Sequence, residues 1–226
     1  MPDGRKECAN EGIARRPRKN GMIAAPNLIL IGAAGRDAGK TAFACELIRR
    51  FRDAPVMAAK VTAVQERDGT CPRGGEGCGV CSSLEGAWCL TEETQAGEAK
   101  DTQRLLASGA RRVFWLRVLK ADLEAGARAL LDVLGPDTPV ICESNSLRTV
   151  VEPGVFVMVR HRDAKTVKGS AQSVQQFADA VVVSDGARFD FDLDRIGLVD
   201  GRWILARPEQ EERVPSQGTP RGKRPG

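Results

Sequence analysis

The sequence predicts an α/β protein: a mostly parallel sheet flanked by helices in three α/β/α layers, closed by a C-terminal β-hairpin. Three observations lead there. Short, nearly continuous apolar runs recur along the chain, as in strands buried on both faces. Helical patterns of about ten residues separate them, which parallel strands need for their crossovers. Asp200-Gly201, set between two short apolar runs, is a favoured two-residue hairpin turn.

The elements follow in order. Residues 27–32 form the first strand and 40–51 the helix after it, with a second strand over 56–64. A Cys/Gly-rich stretch, 69–89, then interrupts the rhythm. A helix at 101–108, a strand at 113–118 and an amphipathic helix at 123–134 resume it. Residues 140–143, 155–159 and 180–184 are further short buried strands, with a helix at 170–177, and residues 196–205 make the hairpin. No internal repeat is visible.

Length and composition bound the function. The 226 residues suit one ordinary domain, and 42% apolar with 28% charged residues supports a core and excludes wholesale disorder. No apolar run approaches the eighteen residues of a membrane-spanning helix, so no membrane partner is expected. The polar, basic start has no apolar signal-peptide region, and a cytoplasmic location is expected. There is no Tyr and one His, His161, which excludes His-pair metal sites. The net charge of +4 lies in the ends: residues 1–22 carry six Lys/Arg against three Asp/Glu, and residues 207–226 five against three. Both read as disordered basic tails, and Met22 is an alternative start. Residues 23–206 are the domain, with a Cys-rich insertion at 69–90. Its near-neutral body, with Trp88, Trp115 and Trp203 scattered, predicts no specific nucleic-acid binding.

The first motif carrying chemistry runs from Asn27 to Thr41, an apolar strand, a small-residue loop and Gly39-Lys40-Thr41 opening a helix. That is the setting of a phosphate loop, in which backbone N–H groups and a helix N-terminus converge on an anion. Gly35, Arg36, Asp37, Ala38, Gly39, Lys40, Thr41 and Ala42 are the candidate nucleotide-binding residues. Lys40 reaches the terminal phosphates, and Thr41 offers its hydroxyl to Mg2+. The loop departs from the usual pattern in having Ala34 where the first glycine stands.

A carboxylate is needed beside that cation. Glu143 follows the apolar run 139–142 and falls at a strand's carboxyl end, where ligands gather in open α/β sheets. It is the candidate catalytic acid and Mg2+ ligand, holding a metal-bound water or orienting an attacking one. Asp101 is a second Mg2+ candidate or, equally, a plain helix cap. Ser184-Asp185-Gly186 ends a strand where a base could be contacted, and the guanine motif Asn-Lys-x-Asp is absent, so ATP and GTP stay open. His161 reads as a solvated loop residue.

Cys71, Cys78, Cys81 and Cys89 lie within nineteen residues amid glycines. In a reducing compartment such a set reads as a metal site, either Zn2+ or an iron–sulfur cluster. Cys8, Cys45 and Cys142 read as bystanders, the last two as small buried hydrophobes.

The order of phosphate loop, Lys60-containing second strand, Lys100-Asp101-Thr102 and strand-Glu143 resembles the molybdopterin-guanine dinucleotide biosynthesis adaptor family, MobB, within the SIMIBI branch of P-loop NTPases. The likeness covers residues 25–185. Arg36 stands where the family's loop has lysine, Ser108-Gly-Ala110 matches its Ala-Gly-Ala, and Glu143-Ser-Asn145 stands for its Glu-Gly-aromatic. The family's His-rich segment after the second strand is here Lys60-Val-Thr62-Ala-Val, without His, and the cysteine stretch has no counterpart. The resemblance implies a GTP- or ATP-binding protein with weak or partner-stimulated Mg2+-dependent hydrolysis. It further implies a role accessory to molybdenum- or other metal-cofactor biosynthesis, a cofactor-biosynthesis or metalloenzyme partner, and a homodimer. An ATP-dependent small-molecule kinase or dethiobiotin-synthetase-like ligase is one alternative. A non-catalytic metal or iron–sulfur module switched by nucleotide is another.

Overall fold

Leu28, Leu30, Ile29 and Ile31 lose all solvent exposure, because strands flank their segment on both sides and helices cover both faces. The computed structural model describes residues 21–64, 84 and 86–206. The strands of the main sheet are β1 (Ile23–Ala33), β2 (Met57–Val64), β3 (Trp88–Glu93), β4 (Val113–Leu119), β5 (Val140–Glu143), β6 (Val151–His161) and β7 (Ala180–Ser184). They lie in the order β3-β4-β2-β5-β1-β6-β7. Every neighbouring pair is parallel except β3 with β4.

Alternate residues of the strands feed two cores. Ile29, Ile31, Ala58, Ile141 and Val157 pack with Phe43, Leu47 and Ile48 of α1 (Lys40–Arg50) and Leu105 of α2 (Asp101–Ala107). Leu28, Leu30, Ala59, Leu116 and Val140 pack on the other face with Leu123, Ala127, Leu130 and Leu134 of α3 (Leu123–Leu134). The i, i+4, i+7, i+11 spacing of those α3 residues makes one apolar stripe, as an amphipathic crossover requires. The hairpin of β8 (Ile196–Val199) and β9 (Arg202–Leu205) joins the α1 face through Ile196 and Trp203, the latter edge-on to Phe51 at 4.9 Å. The predicted mostly parallel α/β sheet and its hairpin are present, as are the helices expected over 40–51, 101–108 and 123–134.

Four details differ from expectation. β1 starts at Ile23, before the predicted residue 27, and β6 is longer than 155–159 at both ends; the two extensions support each other, since Ile23, Ala24 and Ala25 pair with Val151, Glu152 and Pro153. The expected helix over 170–177 divides into a single turn, α4 (Gly169–Gln172), and a 3-10 turn (Gln175–Phe177). β3 has no counterpart among the predicted strands; Trp88, Cys89 and Leu90, the last residues of the predicted 69–90 insertion, pair with β4 in the sheet. The remaining residues of that insertion except 84, 86 and 87, and the tails 1–20 and 207–226, lie outside the described residues. No described helix is long and apolar enough to cross a membrane.

Candidate functional site

Parallel strands bring their carboxyl ends to one edge of the sheet, and the candidate residues gather there. β1 ends at Ala33 and α1 begins at Lys40, so residues 34–39 make the turn. It bends through Asp37 (φ 52°) and Gly39 (φ 88°), both in the left-handed region. Gly39 meets that need without a side chain, and the space is tight: a Cβ would stand 3.1 Å from Ser184 Oγ and 3.2 Å from the Phe189 ring. As the residue capping α1, Gly39 provides no side-chain acceptor for the first-turn amides, and the first turn holds no acidic residue. The positive end of the helix is left open to an outside anion. Gly35 is half-buried, Arg36 and Asp37 are exposed, Ala38 is buried, and Thr41 and Ala42 lie in the first turn of α1.

Glu143 closes β5 and stands level with Ile31 of β1 and Lys60 of β2. Its carboxylate is buried at this edge. Thr41 Oγ1 donates to Glu143 Oε2 at 3.2 Å, and Lys40 Nζ lies 4.0 Å from the same oxygen. The other oxygen, Oε1, is buried and has no hydrogen-bond partner. Burial pushes the Glu143 carboxyl above its ordinary pKa, and the nearby Asp101 adds to this; Lys40, Lys60 and the Thr41 hydroxyl oppose it without cancelling it.

Asp101, at the start of α2, forms a close ion pair with Lys60. Burial alone would raise its carboxyl. The Lys60 hydrogen bond and charge outweigh that, helped by the Thr41 hydroxyl and the Lys40 charge, and hold the carboxyl below the usual carboxylate range. Asp101 is therefore a member of the cluster, while the capping position itself falls to Lys100, which makes no side-chain cap bond. The Thr41 hydroxyl thus links two lysine–carboxylate pairs, Lys40 with Glu143 and Lys60 with Asp101. Lys60 entered the sequence reading only as a marker of resemblance; its signal as a site residue is a cation inside the apolar strand Met57–Val64.

A second residue escaped notice as a site residue. Asn145, two positions after Glu143, binds both polar groups of the Ala33 backbone: Ala33 N–H donates to its Oδ1 at 2.7 Å, and its Nδ2 donates to Ala33 O at 2.9 Å.

Cys89 lies on β3 opposite Arg117 of β4, whose Nη2 donates to the Cys89 sulfur at 3.1 Å. Cys8, Cys71, Cys78 and Cys81 lie outside the described residues. Among the described residues, no group of three or more His, Cys, Asp or Glu is arranged to hold a metal. Cys45 and Cys142 are buried, and burial pushes both thiols up, which suits their reading as small hydrophobes. His161 accepts from the Asp163 N–H of its own loop at 3.2 Å. Asp185 accepts from the Ala187 and Arg188 amides, so its carboxylate shapes the turn after β7.

A small inorganic cation fits the cluster by the chemistry of its donors. Glu143 Oε1 is a buried carboxylate oxygen without a hydrogen-bond partner, the Thr41 hydroxyl bonds the other oxygen of the same carboxylate, and Asp101, paired with Lys60, is a second carboxylate. All are hard oxygen donors, suited to Mg2+ completed by water and phosphate oxygens. No family model, curated protein or solved structure matches this chain.

Proposed function

We propose that this chain is a nucleotide-binding protein of the P-loop class that hydrolyses ATP or GTP slowly in the presence of Mg2+. One observation carries the reading: an open helix N-terminus, Lys40, Thr41 and the buried Glu143 meet at one point on the carboxyl edge of the sheet. Each part has a use there. The 34–39 turn and the α1 amides receive phosphate oxygens, and Lys40 is the loop side chain set back far enough to meet the terminal phosphates. Thr41, Glu143 and Asp101 would hold Mg2+, which would supply positive charge to offset that developing on the phosphate oxygens. Glu143 also orients water toward the terminal phosphorus; the bond from phosphorus to the bridging oxygen breaks, giving nucleoside diphosphate and inorganic phosphate.

The accessory role in molybdenum- or other metal-cofactor biosynthesis, its partner protein and a homodimeric state are carried by the sequence resemblance alone. The same holds for assignment to the MobB-like branch. A Zn2+ or iron–sulfur site at Cys71, Cys78, Cys81 and Cys89 rests on their spacing.

Lys40→Ala tests the reading. Titration calorimetry with MgATP and MgGTP should show affinity lost by a factor of about 100 or more, as expected when a buried charge-assisted phosphate contact is removed. The thermal midpoint should change far less than the affinity, because the Lys40 side chain is partly exposed and its pairing with Glu143 is long, at 4.0 Å. Equal affinity in the variant and the wild type would sink the phosphate-loop assignment.

A further inference from the structure

The main-chain ladder on one side of β1 stops early, and a side chain completes it. β5 ends at Glu143, and its last contacts to β1 are the Glu143–Ile31 pair and the Ser144 N–H to Ile31 O at 3.0 Å. Ala33, two residues further along β1, has no β5 strand beside it. Asn145 takes that place: its amide accepts from Ala33 N–H at 2.7 Å and donates to Ala33 O at 2.9 Å, as a strand residue would. The amide also reaches Ser170 Oγ at 3.3 Å. Gly32 leaves the space for it, since a Cβ there would come within 2.8 Å of Asn145 Oδ1. Ser144 braces the turn that presents Asn145, its hydroxyl accepting from Leu147 N–H at 3.1 Å. On the far side, Ala34 N–H donates to Val159 O and Ala34 O accepts from Lys168 N–H, each at 2.8 Å.

We infer that Asn145 is a positioning residue for nucleotide binding: it clamps the Ala33 peptide, sets where the 34–39 turn departs from the sheet, and ties that departure to Glu143 two residues away. The inference rests on the phosphate-loop reading and extends it to a residue that touches no nucleotide. Both ends of the clamp matter. An anion-binding turn acts through the direction of its N–H groups, and a backbone held at its entrance from the Val159 side alone keeps that direction less well. A side chain that merely fills space would tolerate an aspartate of the same shape. A clamp would not, because one carboxylate oxygen would then face the Ala33 carbonyl, acceptor against acceptor.

The test uses the full chain, wild type, Asn145→Asp and Asn145→Leu. Calorimetry with MgATP and MgGTP should show both variants binding about tenfold or more weakly at unchanged stoichiometry, the size of one lost net hydrogen bond or more. In steady-state hydrolysis the loss should fall on KM, with kcat changed less. A protein that is only partly folded would instead lose stoichiometry and kcat while keeping Kd and KM. Hydrogen exchange without nucleotide should be faster at the Ala33 amide in Asn145→Leu, which loses the acceptor of that N–H. Should Asn145→Leu not fold, Asn145→Asp alone decides. Wild-type affinity in a folded variant, or stoichiometry lost with affinity retained, overturns the positioning role. A wild-type protein that binds neither nucleotide overturns the phosphate-loop reading as well, which the wild-type titration reveals separately.

Discussion

Glu143 and Asp101 stand side by side yet are pulled in opposite directions, and their variants should separate them. The folded-state pKa of Glu143 is raised, chiefly by burial. The unfolded chain therefore gives up that proton first as pH rises, and the stability Glu143 contributes below the ordinary carboxylate range is lost as pH climbs toward its raised value. Glu143→Gln should accordingly raise the thermal stability of the nucleotide-free protein at pH 7–8, by roughly 1 kcal/mol, the usual size when a functional site is relieved of strain. The gain should vanish near pH 4. In turnover the same change should reduce Mg2+-dependent hydrolysis more than nucleotide affinity. Asp101, held below its ordinary range with Lys60 beside it, contributes stability that is present above that range and lost as pH falls through its folded value. Asp101→Asn should lower stability at pH 7–8, modestly because the side chain is 38% exposed, and the deficit too should vanish in acid. Thermal melts across pH 3–8 check both; variants that shift in the same direction at pH 7 would contradict the opposed environments. Lys40, Thr41 and Glu143 were legible as single residues because a strand, a glycine turn and a helix start carry their own local signals. Lys60 and Asn145 were not, since a lysine in a strand and an asparagine after one acquire a role only through what lies across the sheet.

At the level of elements, β3 is the strand the sequence concealed. Trp88-Cys-Leu-Thr-Glu-Glu93 is half-exposed along its length, lacks a continuous apolar run and begins two residues after Gly86, at the end of the glycine-rich stretch. It is an edge strand fixed by its pairing with β4. Its direction has a consequence for the cysteines. β2 ends at the carboxyl edge with Val64, opposite Leu119 of β4, and antiparallel β3 starts at that same edge with Trp88, opposite Val118. The described residues Val64 and Trp88, which bracket the stretch containing Cys71, Cys78 and Cys81, thus both lie at the carboxyl edge, while those three cysteines lie outside the described residues. Four thiolates forming one shell are each necessary, so Ser at any one of Cys71, Cys78, Cys81 or Cys89 should lower metal content, with Cys8→Ser as the unaffected control. Mass spectrometry of the native protein reads the occupancy, and full occupancy in two or more of the four variants would dissolve the shared site. The hairpin offers the opposite case. Trp203 is buried against Phe51, just past the far end of α1 from Lys40. Trp203→Ala should cost about 3–5 kcal/mol in chemical denaturation. It should leave the nucleotide affinity of the folded fraction unchanged, because about 16 Å of helix intervenes.

For the whole molecule, both cores are built within residues 25–203, and the ends of the described chain are tied in: Ile23 N–H donates to Val150 O at 2.9 Å, and Ala206 N–H donates to Arg195 O at 2.8 Å. A fragment of residues 21–206 should therefore unfold cooperatively, within a few degrees of the full chain, and bind nucleotide equally well; calorimetry on the two proteins decides. The class of fold, the identity of most strands and the β1–α1 turn could be read from the chain because each depends on neighbours close in sequence: apolar runs, helical stripes, Gly39, Asp200-Gly201. Strand order, the added β3 and the division of 170–177 into two short turns depend on partners more than a dozen residues away, and local patterns carry no record of those. The site divides along the same line. The half proposed to receive phosphate is a contiguous stretch, Gly35–Ala42, whereas the meeting of Lys60, Asp101, Glu143 and Asn145 with that stretch exists only because parallel strands deliver their carboxyl ends to one edge.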